Sequence, residues 1–346
     1  MDNTFLPIQF IENKLVLLDQ RKLPLEEVFN EYEDFIDGFH AIKDMVVRGA
    51  PCIGFTAIFT MALWLRENKE FTEEDLLSAG DFLNSARPTA INLGFEISRV
   101  TKIILACKNS GTNSFEAVVK LGQTQIIESE TKNRQMAQFA ENDLASKLNK
   151  SNYRILTHCN TGFLACGSIG TALGVVQHLF EKDKIESVWV DETRPYLQGS
   201  RLTAYELNKL GVKHKIVVEG AASHLMQNGL VDAIFTGADR IVANGDTANK
   251  VGTSNLAIIA KHYNIPFYIV APSSSFDMNI STGDGIEVEL RDADEILSYQ
   301  GKRIAPLEST AFNPSFDVTR GSIITGIINE NGIALGNYKQ TLPGIM

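Results

Sequence analysis

The chain has 346 residues, 44% of them hydrophobic and 21% charged, the balance of a globular protein with room for about two domains. Its net charge of -10 excludes the basic footprint of a nucleic-acid binder or of a protein that lies on anionic membranes. Any anionic ligand is therefore held by a few placed groups.

In chain order, IQFIENKLVLLDQRKLP (8–24) alternates apolar and polar residues around Glu12-Asn13-Lys14, which predicts a hairpin. Helical apolar spacing predicts helices over 26–46, 53–68, 74–86 and 91–109, and a long one over 114–148. The most apolar stretch, PCIGFTAIFTMALWL (51–65), is too short for a membrane span and reads as a buried helix. From residue 154 the pattern changes. RILTH (154–158), SVWV (187–190), HKIVV (214–218), DAIFT (232–236) and PFYIV (266–270) are short apolar runs separated by helical stretches, a βαβ rhythm of strands covered on both faces. The expected division is an N-terminal helical domain over 1–148 and an α/β domain over 149–346.

Four cysteines (52, 107, 159, 166) form no CxxC pair and follow no secretory leader, so reduced thiols in a cytoplasmic protein are expected. The polar clusters fall after the predicted strands, where an open parallel sheet has its ligand crevice. Cys159-Asn160-Thr161-Gly162 follows the first strand, Asp191-Glu192-Thr193-Arg194 the second and Glu219-Gly220 the third. Gly237-Ala238-Asp239-Arg240 and Ala271-Pro272-Ser273-Ser274 follow the last two.

Two segments suit a phosphate. Arg48-Gly49-Ala50-Pro51 leads into a helix with proline in its first turn, which leaves backbone N–H groups and a positive dipole end beside an arginine. Asn249-Lys250, followed by Gly252-Thr253-Ser254, offers a second pair of donors at a helix start. The glycines of GSIGTALG (167–174) lack the GxGxxG spacing of a dinucleotide site and are expected inside a helix, packed on a strand. Cys159 is expected beside a helix N-terminus that stabilises a thiolate. His158 alternates to the opposite strand face and has no HxxH or CxxC companion, so it is expected to be structural and no metal site is expected.

RGAPCIG (48–54), RPTAINL (87–93), LTHCNTG (156–162), DETRPYLQGSRLTAYEL (191–207), GADRIVANGDTANKVGT (237–253) and NPSFDVT (313–319) together resemble the methylthioribose-1-phosphate isomerase family. The resemblance covers nearly the whole chain. It implies a helical N-terminal domain with a small antiparallel sheet, a Rossmann-like, mostly parallel C-terminal domain, and a homodimer. It implies conversion of S-methyl-5-thioribose 1-phosphate to the ketose phosphate in methionine salvage, without cofactor or metal. Carried over by motif, the catalytic pair is Cys159 and Asp239, and the substrate contacts are Arg48, Gly49, Ala50, Arg87, Gln198, Asn249 and Lys250. The implied chemistry asks for a neutral Asp239, expected from burial of its carboxyl in an apolar site. Cys52, Phe163 and Tyr196 depart from the family pattern and leave the 5-substituent open, with 5-deoxyribose 1-phosphate as the near alternative and ribose 1,5-bisphosphate as a distant one. A non-catalytic reading also follows from the resemblance, because regulatory subunits of the translation-initiation exchange factor share the implied fold.

Overall fold

The computed structural model describes residues 6–87, 91–299 and 301–346, apart from the Ile91 side chain. The chain divides into two compact units, one comprising residues up to Asn133 together with Thr161–Gly170, the other Arg134–Asn160 and Thr171–Met346. The division expected at 148/149 lies just past the end of a long helix, whereas the compact units part inside that helix.

The first unit opens with antiparallel strands β1 (Ile8–Ile11), β2 (Lys14–Leu18) and β3 (Phe29–Tyr32). Glu12 and Asn13 both have φ near +60°, the backbone of a two-residue hairpin turn whose twist matches the strands. The helix predicted over 26–46 is corrected: β3 pairs with β2 from Leu18–Phe29 to Leu15–Tyr32, and only Phe35–Lys43 (α1) is helical. Strand pairing outweighs the helical apolar spacing there, and Asp34 sets the helix start by accepting from the Asp37 N–H at 2.8 Å. Helices α2 (Ala50–Glu67), α3 (Glu73–Asn84), α4 (Ile91–Ser110) and α5 (Ser114–Lys147) follow. Fourteen of the 18 residues of α2 are buried, which accounts for the apolar run of 51–65 as a core helix. Among the described residues no helix is long and apolar enough to cross a membrane.

The second unit contains β4 (Tyr153–Thr157), α7 (Ala172–Glu181), β5 (Ile185–Asp191), α8 (Ala204–Leu210), β6 (His214–Val217), α9 (Ala222–Gln227) and β7 (Ala233–Thr236). The one-turn helix α6 (Phe163–Cys166) belongs to the first unit. After β7 come β8 (Arg240–Val242), β9 (Thr247–Lys250), α10 (Thr253–Tyr263) and β10 (Phe267–Val270). The chain ends through β11 (Phe276–Asp277), α11 (Asp294–Leu297), the short hairpin β12 (Ser298–Tyr299) and β13 (Lys302–Arg303), β14 (Phe316–Thr319), β15 (Gly326–Asn329), β16 (Gly332–Leu335) and α12 (Tyr338–Thr341).

The principal sheet has the order β16-β15-β10-β7-β4-β5-β6, parallel except for β16. Its strands feed two cores alternately. Ile155, Val188, Val190, Phe235, Tyr268 and Val270 pack with Met136, Ala140, Leu173 and Val176. Leu156, Ile234, Phe267 and Ile269 pack with Leu225, Leu256, Ala257 and Tyr338. Burial on both faces is the reason β4, β7 and β10 are largely apolar, whereas the edge strand β6 is mostly exposed, which corrects the expectation for HKIVV. From β4 the chain winds outward through β5 and β6, then returns to the other side of β4 for β7 and β10. The winding therefore reverses between β4 and β7, and a crevice opens beyond the carboxyl ends of strands at such a point. A second sheet of order β11-β8-β9-β14 grows from the segment after β7.

Candidate active site

Two strands flank the reversal, and the residue types singled out by the sequence lie at their ends. Cys159 stands two residues past β4 and Asp239 three past β7. Cys159 is buried and has φ +60°, backbone that a non-glycine residue adopts only when its surroundings hold it there. Two threonines do so. The Cys159 N–H donates to Thr193 Oγ1 at 2.8 Å, and Thr203 Oγ1 donates to the Cys159 carbonyl at 2.6 Å. Thr193 is itself at φ +61°, unusual for a β-branched residue, and its hydroxyl donates to the Asp191 carbonyl at 3.0 Å. Thr203 closes a π-helical turn over Gly199–Thr203, a local irregularity that recurs at functional sites. Asn160 is buried and donates to Glu206 Oε1 at 2.8 Å, anchoring the chain directly after the cysteine.

Two expectations around Cys159 are corrected. The helix that begins after Asn-Thr-Gly is the single turn α6, and a ten-residue helix starts only at Ala172, so no long helix presents its N-terminus immediately after the cysteine. Gly167 and Gly170 lie in the connection from β4 to α7, with Gly174 alone in the helix. The chain folds back tightly there: a side chain on Gly170 would come within 2.2 Å of the Thr161 carbonyl oxygen.

Asp239 sits in the turn from β7 to β8, its N–H donating to the Ala248 carbonyl at 3.0 Å. Asp239 is an exposed residue here, so the burial expected of its carboxyl belongs to a site closed over substrate. Pairing of β8 with β9 brings Asp239 beside Asn249 and Lys250. Asn249 is buried and donates to Thr253 Oγ1 at 2.9 Å; Lys250 Nζ donates to the Ser315 carbonyl at 2.7 Å and lies over the Phe316 ring. The α10 N-terminus expected to help hold an anion is already occupied. The Asp317 carboxylate accepts from the Gly252 N–H at 2.8 Å and from the Ser254 N–H at 3.0 Å. An anion beside this segment therefore has Asn249 and Lys250 rather than the helix start. Gln198 is buried, and its Oε1 has no hydrogen-bond partner among protein atoms, as suits a group reserved for a ligand.

His158, expected to be structural, joins the strand ends. Its Nδ1 faces Asp191 Oδ2 at 3.2 Å and its Nε2 faces the Val251 carbonyl at 2.9 Å, both fully inside the protein. Burial works against a charged imidazole, but Asp191 and Glu219 outweigh it and hold His158 above the ordinary histidine range. Burial pushes Asp191, Glu219 and Asp317 up, opposed in each case by His158. Among the described residues no cluster of His, Cys, Asp and Glu has the arrangement of a metal site. Arg48, Gly49, Ala50 and Arg87 belong to the first unit. Gly49 is the N-cap of α2, with Pro51 in the first turn and no capping side chain, so the expected arrangement of proline, helix start and adjacent arginine is present. Arg87 follows α3, and the Pro88–Ala90 part of its motif lies outside the described residues.

Residues 46–335 match the Initiation factor 2 subunit family. A methylthioribose-1-phosphate isomerase of Caldicellulosiruptor saccharolyticus is 41% identical, with 96% of this chain and 97% of that protein aligned. The crystal structure of 5-methylthioribose 1-phosphate isomerase from Pyrococcus horikoshii matches with a TM-score of 0.89 at 38% identity, over 98% of this chain and 95% of that one. The chain belongs to the methylthioribose-1-phosphate isomerase family. A crystal structure described as translation initiation factor eIF-2B, subunit delta, from A. fulgidus matches at 36% identity and a TM-score of 0.86, with 99% of both chains covered. Isomerases of this family and such factors thus share one architecture, and what separates them has to be sought in the site. In this member Cys159, Gln198, Asp239, Asn249 and Lys250 lie in one unit, on loops and strands that leave the carboxyl edge of one sheet. Sequence reasoning missed His158, Asp191, Glu219 and Asp317 as a connected group. The available signal was the recurrence of acidic residues directly after successive strands.

Proposed function

We propose that the protein is an aldose–ketose isomerase that converts S-methyl-5-thioribose 1-phosphate to S-methyl-5-thioribulose 1-phosphate, with Asp239 and Cys159 as its catalytic residues. The observation that carries this reading is the placement of Cys159 and Asp239 after the two strands that flank the winding reversal, with Asn249 and Lys250 on the adjoining hairpin. A 1-phosphorylated furanose cannot open to an aldehyde unaided. The C1–O4 bond must break as O4 takes a proton, and Asp239 supplies it. A bound sugar that covers Asp239 takes its carboxyl out of water and favours the protonated form that donates. Hydrogen then moves from C2 to C1, with Cys159 beside that centre, and the C2 hydroxyl returns its proton to the Asp239 carboxylate as the C2 carbonyl forms. Deuterium at C2 separates the two routes open to this step. A proton relayed through the Cys159 thiolate exchanges with solvent, and a hydride shift polarised by Cys159 retains the label.

Asn249 and Lys250 take the phosphate in this proposal, Gln198 a sugar hydroxyl, and Arg48, Gly49, Ala50 and Arg87 enter as further contacts on the strength of their motifs. The buried apolar residues Ile53, Phe55 and Leu93 among those motifs suit a methylthio group better than a second phosphate. A cytoplasmic homodimer that works without a cofactor completes the reading. The experiment is a comparison of kcat/KM for methylthioribose 1-phosphate, 5-deoxyribose 1-phosphate and ribose 1,5-bisphosphate. The expected order is methylthio first, deoxy second and bisphosphate refused. A preference for the bisphosphate contradicts the substrate assignment, and no turnover of any of the three favours a regulatory sugar-phosphate-binding role.

A further inference from the structure

The connection between Cys159 and the Asn249–Lys250 segment runs through one buried side chain. A backbone carbonyl only accepts, so the contact of His158 Nε2 with the Val251 carbonyl at 2.9 Å requires a proton on Nε2. Nδ1 then meets Asp191 Oδ2 at 3.2 Å, where a second ring proton gives a charge-assisted bond. Asp191 in turn reaches Cys159, because its carbonyl accepts from Thr193 Oγ1 and that hydroxyl accepts from the Cys159 N–H. On the other side Val251 directly follows Lys250, and its N–H donates to the same Ser315 carbonyl that Lys250 Nζ meets. The loop of contacts starts and ends on adjacent residues, His158 and Cys159.

We propose that His158 is a positioning residue whose two ring nitrogens fix the catalytic cysteine, through Asp191 and Thr193, against the phosphate-holding Asn249–Lys250 segment, through Val251. The proposal rests on the isomerase reading above. The groups that face His158 are Asp191 at the end of β5, Glu219 after β6, Asp317 on β14 and Gly252 at the start of α10. Gly252 shows how closely they converge: at φ +103°, a side chain there would lie 2.4 Å from Glu219 Oε1 and 2.7 Å from His158 Cε1. Arg194 N–H donates to Glu219 at 2.5 Å, so the loop after β5 is held to the same cluster. An imidazole among three acidic side chains is favoured in its charged form, which keeps both ring protons and with them both ties. Burial alone would remove one of them, and the raised pKa of His158 agrees with Asp191 and Glu219 prevailing.

The test uses amides that replace one ring nitrogen at a time. Asparagine places its N–H₂ near the Nδ1 position and glutamine near Nε2. His158→Asn keeps Asp191 and loses Val251, so KM for methylthioribose 1-phosphate rises about tenfold, equivalent to about 1.4 kcal/mol, while kcat holds within about threefold. His158→Gln keeps Val251 and loses Asp191, so kcat falls about tenfold and KM holds within about threefold. Unchanged KM in both variants, with kcat losses that vanish once rates are divided by the folded fraction from circular dichroism, overturns the proposal. A measurement on the wild type does not depend on turnover or on the variants folding. In ¹⁵N-histidine NMR followed over pH, both His158 ring nitrogens are expected to keep their protons above the ordinary histidine value of about 6.5, where a free imidazole has lost one. A neutral ring there overturns the double tie. Absence of turnover by the wild type would refute the isomerase reading and leave the NMR result to decide the tie.

Discussion

Replacing Thr193 with valine isolates what holds Cys159. Valine keeps the β-branch and therefore the strain of φ +61°, so the substitution removes only the hydroxyl. The Cys159 N–H loses its acceptor at 2.8 Å in a buried setting, and the Asp191 carbonyl loses a donor at 3.0 Å. An unpaired buried N–H costs about 1–3 kcal/mol and the second bond adds about 0.5–1.5 kcal/mol, so stability should fall by roughly 2–4 kcal/mol in denaturant unfolding. Cys159 at φ +60° relaxes once its N–H is released, and a displacement of about 1 Å in a catalytic group costs on the order of a hundredfold in rate. We expect Thr193→Val to lower kcat roughly ten- to a hundredfold in an isomerase assay with methylthioribose 1-phosphate. Thr193→Ser keeps both hydrogen bonds and should stay within about threefold of wild type. A valine variant with wild-type kcat and stability would refute the idea that this hydroxyl sets the cysteine.

Cys159→Ser should lose about two orders of magnitude or more in kcat, because an alcohol is a far poorer source of an anionic base; activity equal to wild type would return Cys159 to a packing role. Lys250→Ala should raise KM by roughly ten- to a hundredfold through loss of one charge-assisted contact of about 1.5–3 kcal/mol, and an unchanged KM would remove Lys250 from the phosphate site. Away from the site, burial pushes Glu141 up, but Lys182 at 2.5 Å, Lys184 at 2.6 Å and His178 at 2.8 Å outweigh it and lower its pKa to about 2. A depressed carboxyl stabilises the fold above the ordinary carboxylate range and loses that contribution as pH falls through about 2. Glu141→Gln should thus cost about 1–3 kcal/mol at pH 7 and almost nothing near pH 2, as read by urea unfolding at the two pH values.

How much of this was legible depended on the distance over which each feature is specified. The central strands β4, β7 and β10 of the parallel sheet show in sequence because they bury both faces and so are largely apolar. The strands of the second sheet, RIV, TANK and FDVT, carry polar residues and take their order from pairing with one another, so no local periodicity announces them. The strand β3 was hidden for a related reason: its residues satisfy a helical spacing, and only the partner strand β2, some ten residues earlier, decides against it. The glycine-rich segment 167–174 was misplaced into a helix because helical apolar spacing continues through it, while the tight return on Thr161 is invisible in composition.

At the site, the strand-end clusters were legible because topology alone sends them to one edge. Their wiring was not. Asp317 caps α10 from 63 residues away, and a helix start read from sequence as an empty anion site proves to hold a carboxylate of the same chain. His158 was read as structural from strand alternation, a rule that says which face a residue points to and nothing about the loop it will meet there.

Isomerisation of methylthioribose 1-phosphate at this site is proposed to use Asp239 as the acid. It is tested most directly by following that substrate by ³¹P NMR with purified wild-type protein and with Asp239→Asn side by side. Conversion to the ketose phosphate is expected with the wild type, and a rate lower by roughly a hundred- to ten-thousand-fold in the variant, the usual contribution of a general acid. An inert wild type, or an asparagine variant that matches it, would contradict the account.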